Sequence, residues 1–273
     1  RTRLCALAQP PPGPQLVRGP TATNVTAQLG FGVDIGGSGM KAAVVDLATG
    51  ELASERLRIG TPRPATPEAM VEVVADLVRG HGWTGPIGVG FPGIVHHGIV
   101  HSAANLDARW VGVDADAVFT EACGADVATL NDADAAGLGE MRWGAGRDVA
   151  GVVLVLTFGT GLGSGLFIDG TLVPNTELGH LELDGRDAES YAAASARKRE
   201  RIGWGEWAQR VDRYLRHVEM LFSPDLVIVG GGASKTAEKW LPRLTIDTPI
   251  VPAALANNAG ISGAALRARR AHP

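Results

Sequence analysis

A glycine-rich turn that follows an aspartate is the first stretch of this sequence whose residue types suit chemistry. Residues 34–41 read DIGGSGMK and lie between two apolar runs. Glycines let backbone N–H groups approach phosphate oxygens with no Cβ in the way. Asp34 would repel the same phosphate, so its position makes sense only if a divalent cation lies between them. The segment predicts either a phosphate and Mg²⁺ loop or an ordinary glycine-rich hairpin.

A second stretch, residues 157–165 with the sequence TFGTGLGSG, repeats this arrangement. When Asp34 is aligned with Thr157, Asp46 at the end of the following apolar run falls on Asp169. An internal repeat at matching spacing is stronger evidence than either loop alone. The repeat therefore favours phosphate binding over two structural hairpins, and it predicts that the two loops hold one polyphosphate from two sides.

Phosphoryl transfer also needs a carboxylate that orients and deprotonates the acceptor hydroxyl, and Asp132 is the best candidate. It follows a buried strand and opens a helix, which places it at the sheet edge where α/β proteins bind ligands. The alternative is a helix N-cap, a position that Asp and Asn favour. Asp134 looks more like such a cap, and the local sequence alone favours capping for Asp132 as well.

Residues 174–180, PNTELGH, place Glu177 three positions before His180, a spacing found in some metal sites. No cysteine follows to complete a zinc shell, so metal binding is disfavoured. These donors and acceptors would suit sugar hydroxyls, as would the polar loop 105–110, NLDARW. The alternative for Glu177 and His180 is a solvent-exposed pair in a loop.

Residues 195–201, SARKRER, form a basic cluster. Most such runs are solvated helix faces. Beside a cleft that binds polyphosphate, however, the cluster could follow a long anionic phosphoryl donor.

The elements that must position these residues recur along the chain. Three strand-like runs begin at Phe31 and precede a helix, which Thr66 and Pro67 start and Gly80 is expected to end. Further strands and helices alternate, and the order begins again at Val152. The pattern predicts two α/β domains with a cleft between them.

The predicted domains are a small N-terminal one over residues 29–130 and a larger one over residues 131–256. The helix predicted over residues 257–271 could pack back onto the first domain. Residues 1–28 are rich in Pro and Gly and lack apolar periodicity, so they are expected to be a disordered tail.

Composition excludes several classes of function. The 273 residues are 45% hydrophobic with a net charge of −4, which gives no basic excess for nucleic acid, and no long uncharged apolar run could span a membrane. Two cysteines are too few for a disulfide framework or a cysteine-rich metal site, and they fit a reducing cytoplasm.

Taken together, these segments resemble the ROK sugar kinases of the actin-like ATPase superfamily, and within them the bacterial polyphosphate glucokinases, including the polyphosphate/ATP-glucomannokinases. The resemblance covers nearly everything from Leu29 to the C-terminus. It implies an α/β fold of two actin-like (ribonuclease H-like) domains. Its anchors are residues 34–41, 105–112, 130–137, 157–165, 174–180 and 230–235.

The resemblance assigns roles to particular residues. In such kinases the aspartate that matches Asp132 is the catalytic base on the sugar 6-hydroxyl, which reverses the local preference for capping. Glu189 is placed by the likeness of residues 188–192 to the segment that follows the zinc cluster of ROK proteins. The implied sugar-binding residues are Asn105, Asn131, Asp132, Glu177, His180 and Glu189.

The two glycine loops correspond to the phosphate motifs of these kinases, and residues 230–234 to the loop on the adenosine side. Mg²⁺ is expected near Asp34, bridged by water or by donor phosphate. The implied phosphate-binding residues are Asp34, Gly36, Gly37, Ser38, Gly39, Lys41, Thr157, Gly159, Thr160, Gly161, Gly231 and Gly232.

One departure from the family pattern concerns zinc. Typical ROK proteins carry a cysteine-rich zinc motif after the histidine, whereas no cysteine follows Cys123 here. We therefore expect no zinc site, and His180 is free to contact sugar. We also expect no DNA-binding domain of the kind that ROK repressors carry.

The expected activity is transfer of a phosphoryl group from polyphosphate or ATP to the 6-hydroxyl of glucose, with mannose as a further acceptor. An ATP-only hexokinase, a non-catalytic sugar-sensing regulator and an actin-like or chaperone-like ATPase are the alternatives. We expect a cytoplasmic monomer or homodimer that binds neither nucleic acid nor membrane.

Overall fold

A computed structural model of the chain describes residues 28–103 and 106–271, and within these ranges the chain forms fourteen β-strands and seven α-helices. The predicted tail lies outside the described residues apart from Gln28, and Asn105 also lies outside them. The strands are β1 Leu29–Gly36, β2 Gly39–Asp46, β3 Leu57–Ile59, β4 Ile87–Phe91, β5 Val95–His96, β6 Ile99–Val100, β7 Val127–Asn131, β8 Val152–Phe158, β9 Leu162–Ile168, β10 Thr171–Val173, β11 Glu182–Leu183, β12 Arg186–Asp187, β13 Leu226–Gly230 and β14 Ile250–Pro252. The helices are α1 Pro67–His81, α2 Ala115–Cys123, α3 Asp132–Trp143, α4 Ala188–Ala192, α5 Ala194–Glu200, α6 Trp204–Phe222 and α7 Ala259–Ala271.

The two main sheets have the same topology. The first has the strand order β3-β2-β1-β4-β7 and the second the order β10-β9-β8-β13-β14. In each sheet the first three strands in sequence are antiparallel neighbours, the fourth pairs parallel with the first, and the fifth pairs parallel with the fourth. The internal repeat predicted from the two glycine loops is thus a repeat of whole sheets, and the predicted α/β fold of two actin-like domains is confirmed.

Each sheet has a hydrophobic core of its own. The two sheets and the helices that pack on them are called the first (N-terminal) and second lobes. In the first lobe, Phe31 and Val89 of the sheet pack against Met70 of α1 and Phe119 of α2. In the second lobe, α6 covers one face of the sheet, where its buried Trp207 and Tyr214 pack against Leu156 and Phe158. Strands β4, β7 and β13 are buried along their whole length, which explains why their sequences are mostly apolar and show no alternation.

Helices α3 and α7 pack against each other between the two sheets. Helix α7 also lies on β1 and β4, where a Cβ at Gly32 or Gly88 would collide with backbone carbonyls of α7. A Cβ at Gly263 of α7 would collide with the backbone of Ala135 in α3. These glycines let the backbones approach closely, and α7 therefore packs on the N-terminal sheet and on the first helix of the second lobe.

The predicted start of α1 is confirmed and its predicted end is wrong. The Thr66 hydroxyl accepts a hydrogen bond from the Ala69 N–H at 3.3 Å, as an N-cap does. The helix continues through Gly80 and ends at His81, where Gly82 has φ 60° and donates its N–H to the Arg79 carbonyl. Gly82 rather than Gly80 ends the helix because it is the one in the left-handed conformation.

No helix in the part of the chain that the structure describes is both long enough and apolar enough to cross a membrane.

Candidate active site

One cleft of about 860 Å³ brings together most of the residues that the sequence singled out. Its walls come from both lobes, and it contains the turn after β1, the turn after β8 and the start of α3. The implied residues that line it are Asp34, Gly36, Gly37, Ser38, Lys41, Asn131, Asp132, Thr157, Gly159, Thr160, Gly161, Glu177, His180, Glu189, Gly231 and Gly232.

The first glycine loop is a tight hairpin turn between β1 and β2, in which Gly36 pairs with Gly39. Asp34 and Lys41 face each other across the hairpin, and the Lys41 Nζ lies 3.0 Å from the Asp34 Oδ2. Gly39 differs from its neighbours because it is buried against the Arg58 guanidinium and does not line the cleft. The loop therefore presents one carboxylate, one ammonium group and a short run of backbone to the cleft.

The second glycine loop joins β8 to β9 and is one residue longer at its tip. Phe158 pairs with Leu162, and the Gly159 N–H donates to the Gly161 carbonyl at 2.9 Å. The third glycine segment follows β13, where Gly231 has φ 74° and a Cβ would collide with the Phe158 backbone. Only glycine fits there, so the two segments lie together on the same side of the cleft.

The start of α3 places Asp132 in the cleft, and its N-cap is Asn131 rather than either aspartate. The Asn131 Oδ1 accepts hydrogen bonds from the N–H groups of Ala133 at 2.8 Å and Asp134 at 3.1 Å. The expectation of capping by Asp132 or Asp134 is therefore wrong. Strand β7 continues through Asn131, whose φ and ψ are non-helical, so Asn131 occupies the cap position and Asp132 begins the helix.

The surroundings of Asp132 raise the pKa of its carboxyl group. Burial raises the pKa of Asp132 to about 7, and the nearby negative charge of Asp34 is the next cause in size. Glu177 and Asp134 add to the rise, while the Ala133 N–H opposes it. A pKa close to neutral pH is what an efficient general base requires.

Asp134, one position beyond Ala133, points away from the cleft into the second lobe and is almost completely buried. Its Oδ2 accepts a hydrogen bond from the Asn175 N–H at 2.8 Å, and burial raises its pKa to about 7. The Oδ1 is buried without a hydrogen-bond partner among the described residues. Asp134 therefore holds the segment that leads to Glu177.

The predicted sugar segment lines the same cleft through Glu177 and His180. Burial raises the pKa of Glu177, whose Oε1 lies 3.4 Å from the Asn131 Nδ2. The His180 Nδ1 lies 2.6 Å from the Asp187 Oδ2, and this hydrogen bond raises the pKa of His180. The His180 Nε2 has no partner within the described ranges, so it is available to a bound ligand.

Asn131 and Glu189 line the cleft, and polar atoms of both side chains form hydrogen bonds with the backbone around it. The Asn131 amide donates to the Gly93 carbonyl at 3.1 Å while its oxygen caps α3. The Glu189 Oε2 accepts the Leu162 N–H at 2.8 Å, which ties α4 to the second glycine loop. Both residues therefore fix the positions of backbone segments that surround the ligand.

Asn175 was missed by sequence reasoning as a structural residue. Its Oδ1 accepts the Val95 N–H at 2.9 Å and its Nδ2 donates to the Val95 carbonyl at 3.0 Å, which joins the sugar segment to β5 of the N-terminal lobe. Asn175 therefore makes a contact between the lobes, a role that the sequence analysis did not assign to it. Asn175 has φ 59°, a conformation that Asn tolerates better than most residues.

Helix α5 carries the basic cluster, for which the sequence left open a solvated helix face or a contact with a long phosphoryl donor. The Ser195 N–H donates to the Gly159 carbonyl at 3.0 Å and its hydroxyl to the Thr160 carbonyl at 2.6 Å. The basic cluster is thereby attached to the second glycine loop, and two of its cations, Arg197 and Lys198, line the cleft together with Trp204.

Among residues 28–103 and 106–271, no three His, Cys, Asp or Glu side chains are grouped so that they could hold a metal ion.

Comparison with known proteins gave matches over most of the chain. A family profile described as ROK family matches residues 30–195. The polyphosphate glucokinase of Mycobacterium tuberculosis (strain CDC 1551 / Oshkosh) is 51% identical over 255 residues, which cover 93% of this chain and 96% of that protein. The polyphosphate glucokinase of Mycobacterium leprae is 48% identical, over 90% of this chain and 76% of that protein.

Two solved structures extend the comparison. The inorganic polyphosphate/ATP-glucomannokinase from Arthrobacter sp. strain KM has a TM-score of 0.87 and 53% identity, over 89% of this chain and 99% of that one. A ROK family glucokinase from Streptomyces griseus, in complex with glucose and AMPPNP, has a TM-score of 0.77 and 26% identity, over the same shares of the two chains.

Proposed function

The chain belongs to the ROK family, and we propose that it is a sugar kinase that transfers the terminal phosphoryl group of inorganic polyphosphate or ATP to the 6-hydroxyl of glucose. The product is glucose 6-phosphate, and mannose is a further acceptor in this proposal. The observation that carries it is the position of Asp132, which lies in one cleft with both glycine loops and the segment of Glu177 and His180. The polyphosphate glucokinases at about half identity support the choice of donor and acceptor.

Asp132 is the base in this mechanism. It accepts the proton of the sugar 6-hydroxyl while the oxygen forms a bond to the terminal phosphorus and the bond from that phosphorus to the next phosphate breaks. Glu177 and His180 hold the sugar hydroxyls, and the half-buried Glu177 supplies a strong acceptor. The two glycine loops and Lys41 hold the donor phosphates so that the terminal one faces the acceptor.

Mg²⁺ fits the donor side of this cleft. The ion keeps several water molecules and needs only one or two carboxylates beside substrate phosphates, so it does not require a cluster of protein ligands. Asp34 is the carboxylate within the first glycine loop, and it would hold the ion directly or through water or phosphate. When bound, Mg²⁺ neutralises charge on the donor oxygens. The proposal includes no zinc, a cytoplasmic location and a monomer or homodimer.

A donor assay tests the proposal. Purified protein is incubated with glucose, Mg²⁺ and either polyphosphate or ATP, and glucose 6-phosphate is measured in each mixture. Product from both donors supports the proposal, and a panel of hexoses then tests mannose. Product from ATP alone would favour an ATP-only hexokinase, and sugar binding without turnover would favour a regulator.

A further inference from the structure

Most of the basic cluster at residues 195–201 lies on α5, and its cations fall into two groups with different surroundings. Arg197 and Lys198 line the cleft. Arg199 instead donates to the Ser190 carbonyl at 2.7 Å and pairs with Glu200 at 3.1 Å, and it does not line the cleft. The cluster is therefore not a uniformly solvated face: Arg197 and Lys198 line the cleft, whereas Arg199 on the same helix contacts protein groups outside it.

The two cations of the cleft lie directly beyond the second glycine loop. Ser195 at the start of α5 is hydrogen-bonded to the carbonyls of Gly159 and Thr160 at the tip of that loop. A helix rises about 1.5 Å per residue, so Arg197 and Lys198 begin within one turn of this attachment. A chain of phosphates that leaves the loop toward α5 meets these side chains next.

An aromatic ring, that of Trp204, lies close to two cations. The Arg197 guanidinium carbon lies 3.9 Å from the centre of the Trp204 ring, and the Lys239 Nζ lies 5.9 Å from the same ring. Trp204 itself lines the cleft. The ring holds Arg197 in place without neutralising its charge, as a cation–π contact does.

These three cations lack the partners that other surface cations of this region have. Arg210 pairs with Glu200 at 2.7 Å and with Glu206 at 3.1 Å. Over the described part of the chain, Arg197, Lys198 and Lys239 form no ion pair with a carboxylate. Two of them line the cleft, and Lys239 lies beside the Trp204 ring that also lines it. On a chain with net charge −4, unpaired cations in this arrangement indicate that their partner is an anionic ligand.

The identity of that ligand follows from the order of the groups along the cleft. The glycine loops are placed to hold the reacting phosphates, so an anion that reaches α5 at the same time must carry charge beyond them. In ATP an uncharged nucleoside follows the third phosphate, whereas in polyphosphate every further unit carries negative charge. Arg197 covers one face of the Trp204 ring, so an adenine ring cannot stack on that face.

We propose that Arg197, Lys198 and Lys239, grouped around Trp204, form an extension of the donor site that binds the internal phosphates of a long polyphosphate chain. The inference rests on the proposed function, because it takes the glycine loops as the site of the terminal phosphates. It assigns to this extension the preference for long chains, while transfer itself depends on the loops and on Asp132.

Steady-state kinetics with matched donors tests the extension. The double variant Arg197→Ala/Lys198→Ala and the single variant Lys239→Ala are compared with wild type on long-chain polyphosphate, tripolyphosphate and ATP. We expect KM for long-chain polyphosphate to rise about tenfold for each lost charged contact. The rise for tripolyphosphate and ATP is expected to be much smaller, so that the advantage of long chains disappears. Added salt should raise KM for long chains less in the variants than in wild type.

Arg199→Ala is the control, because it removes a cation of the same helix that faces away from the cleft and should leave the ratio of the donors' KM values unchanged. Thermal unfolding verifies that each variant is folded. Equal rises for ATP and long polyphosphate, or no rise for either, would overturn the extension. Failure of the proposed function looks different, because wild type would then form no glucose 6-phosphate from polyphosphate of any length.

Discussion

The first turn of α3 carries two aspartates whose pKa values are raised to the same extent and whose surroundings differ. Asp132 lines the cleft among the charges of Asp34 and Glu177, whereas Asp134 lies in the lobe behind it and accepts the Asn175 N–H. Both pKa values are raised to about 7, and burial is the largest cause in each case. A perturbed pKa therefore marks both carboxylates without distinguishing the base from the structural group.

Access to the substrate distinguishes them. Asp132 lines the cleft and can accept a proton from a sugar hydroxyl there. The Asp134 side chain is buried within the lobe and cannot reach a ligand. The same rise in pKa thus has two consequences. At both residues it makes stability depend on pH, and at Asp132 alone it also matches a base in the cleft to neutral pH.

The largest difference between the two aspartates should appear in turnover. Asp132→Asn keeps the size and polarity of the side chain but removes the proton acceptor, so kcat should fall by about 10²- to 10⁴-fold. Glucose binding should persist, because Asn131, Glu177 and His180 are unchanged. Kinetics and isothermal titration with glucose measure the two quantities. Near-normal kcat in Asp132→Asn would remove Asp132 from the role of base.

The next effect concerns stability as a function of pH. Since the pKa of Asp134 is raised, the folded protein binds more protons than the unfolded one between about pH 4 and pH 7, and stability falls as pH rises through this window. Asp134→Asn removes that titration. Wild type should lose on the order of 3–4 kcal/mol relative to this variant across the window. Denaturant unfolding at several pH values measures the difference, and parallel curves for the two proteins would contradict it.

A smaller effect separates the charge of Asp134 from its hydrogen bond. Asp134→Ala leaves the Asn175 N–H without its acceptor, which should cost about 1–3 kcal/mol. Asp134→Asn keeps an acceptor oxygen and is the matched control at low pH. Because Asn175 also joins the sugar segment to Val95, Asp134→Ala should raise KM for glucose more than it changes kcat. Equal stability of the two variants at pH 4 would show that this hydrogen bond contributes nothing.

The comparison also shows how far sequence reasoning reaches. The repeat of residues 34–41 at residues 157–165 predicted two α/β domains, because the same strand, glycine turn and strand occur in each half of the sequence. The choice of N-cap was not predictable, since Asn131, Asp132 and Asp134 all suit a cap. It is decided by the pairing of β7 with β4, which extends through Phe91 and Asn131.

Contacts distant in sequence account for the other omissions. Asn175 and Val95 are 80 positions apart, and no local pattern in either segment indicates that they meet. The attachment of Ser195 to the tip of the second glycine loop joins positions 35 apart, so the basic cluster could not be assigned to the cleft or to solvent from its sequence. Both contacts are set by tertiary structure rather than by local sequence.

The smallest predicted effect tests whether the charges around Asp132 act in the order that the structure gives. The charge of Asp34 raises the pKa of Asp132 more than the charge of Asp134 does. Asp34→Asn should therefore lower the pKa of Asp132, and Asp134→Asn should lower it less. Carbon-13 NMR titration of labelled aspartate carboxyl groups measures this without requiring turnover, and Asp132→Asn identifies the signal. A larger shift in Asp134→Asn than in Asp34→Asn would mean that Asp132 responds mainly to the interior of the lobe, and the distinction between cleft and interior at this turn would fail.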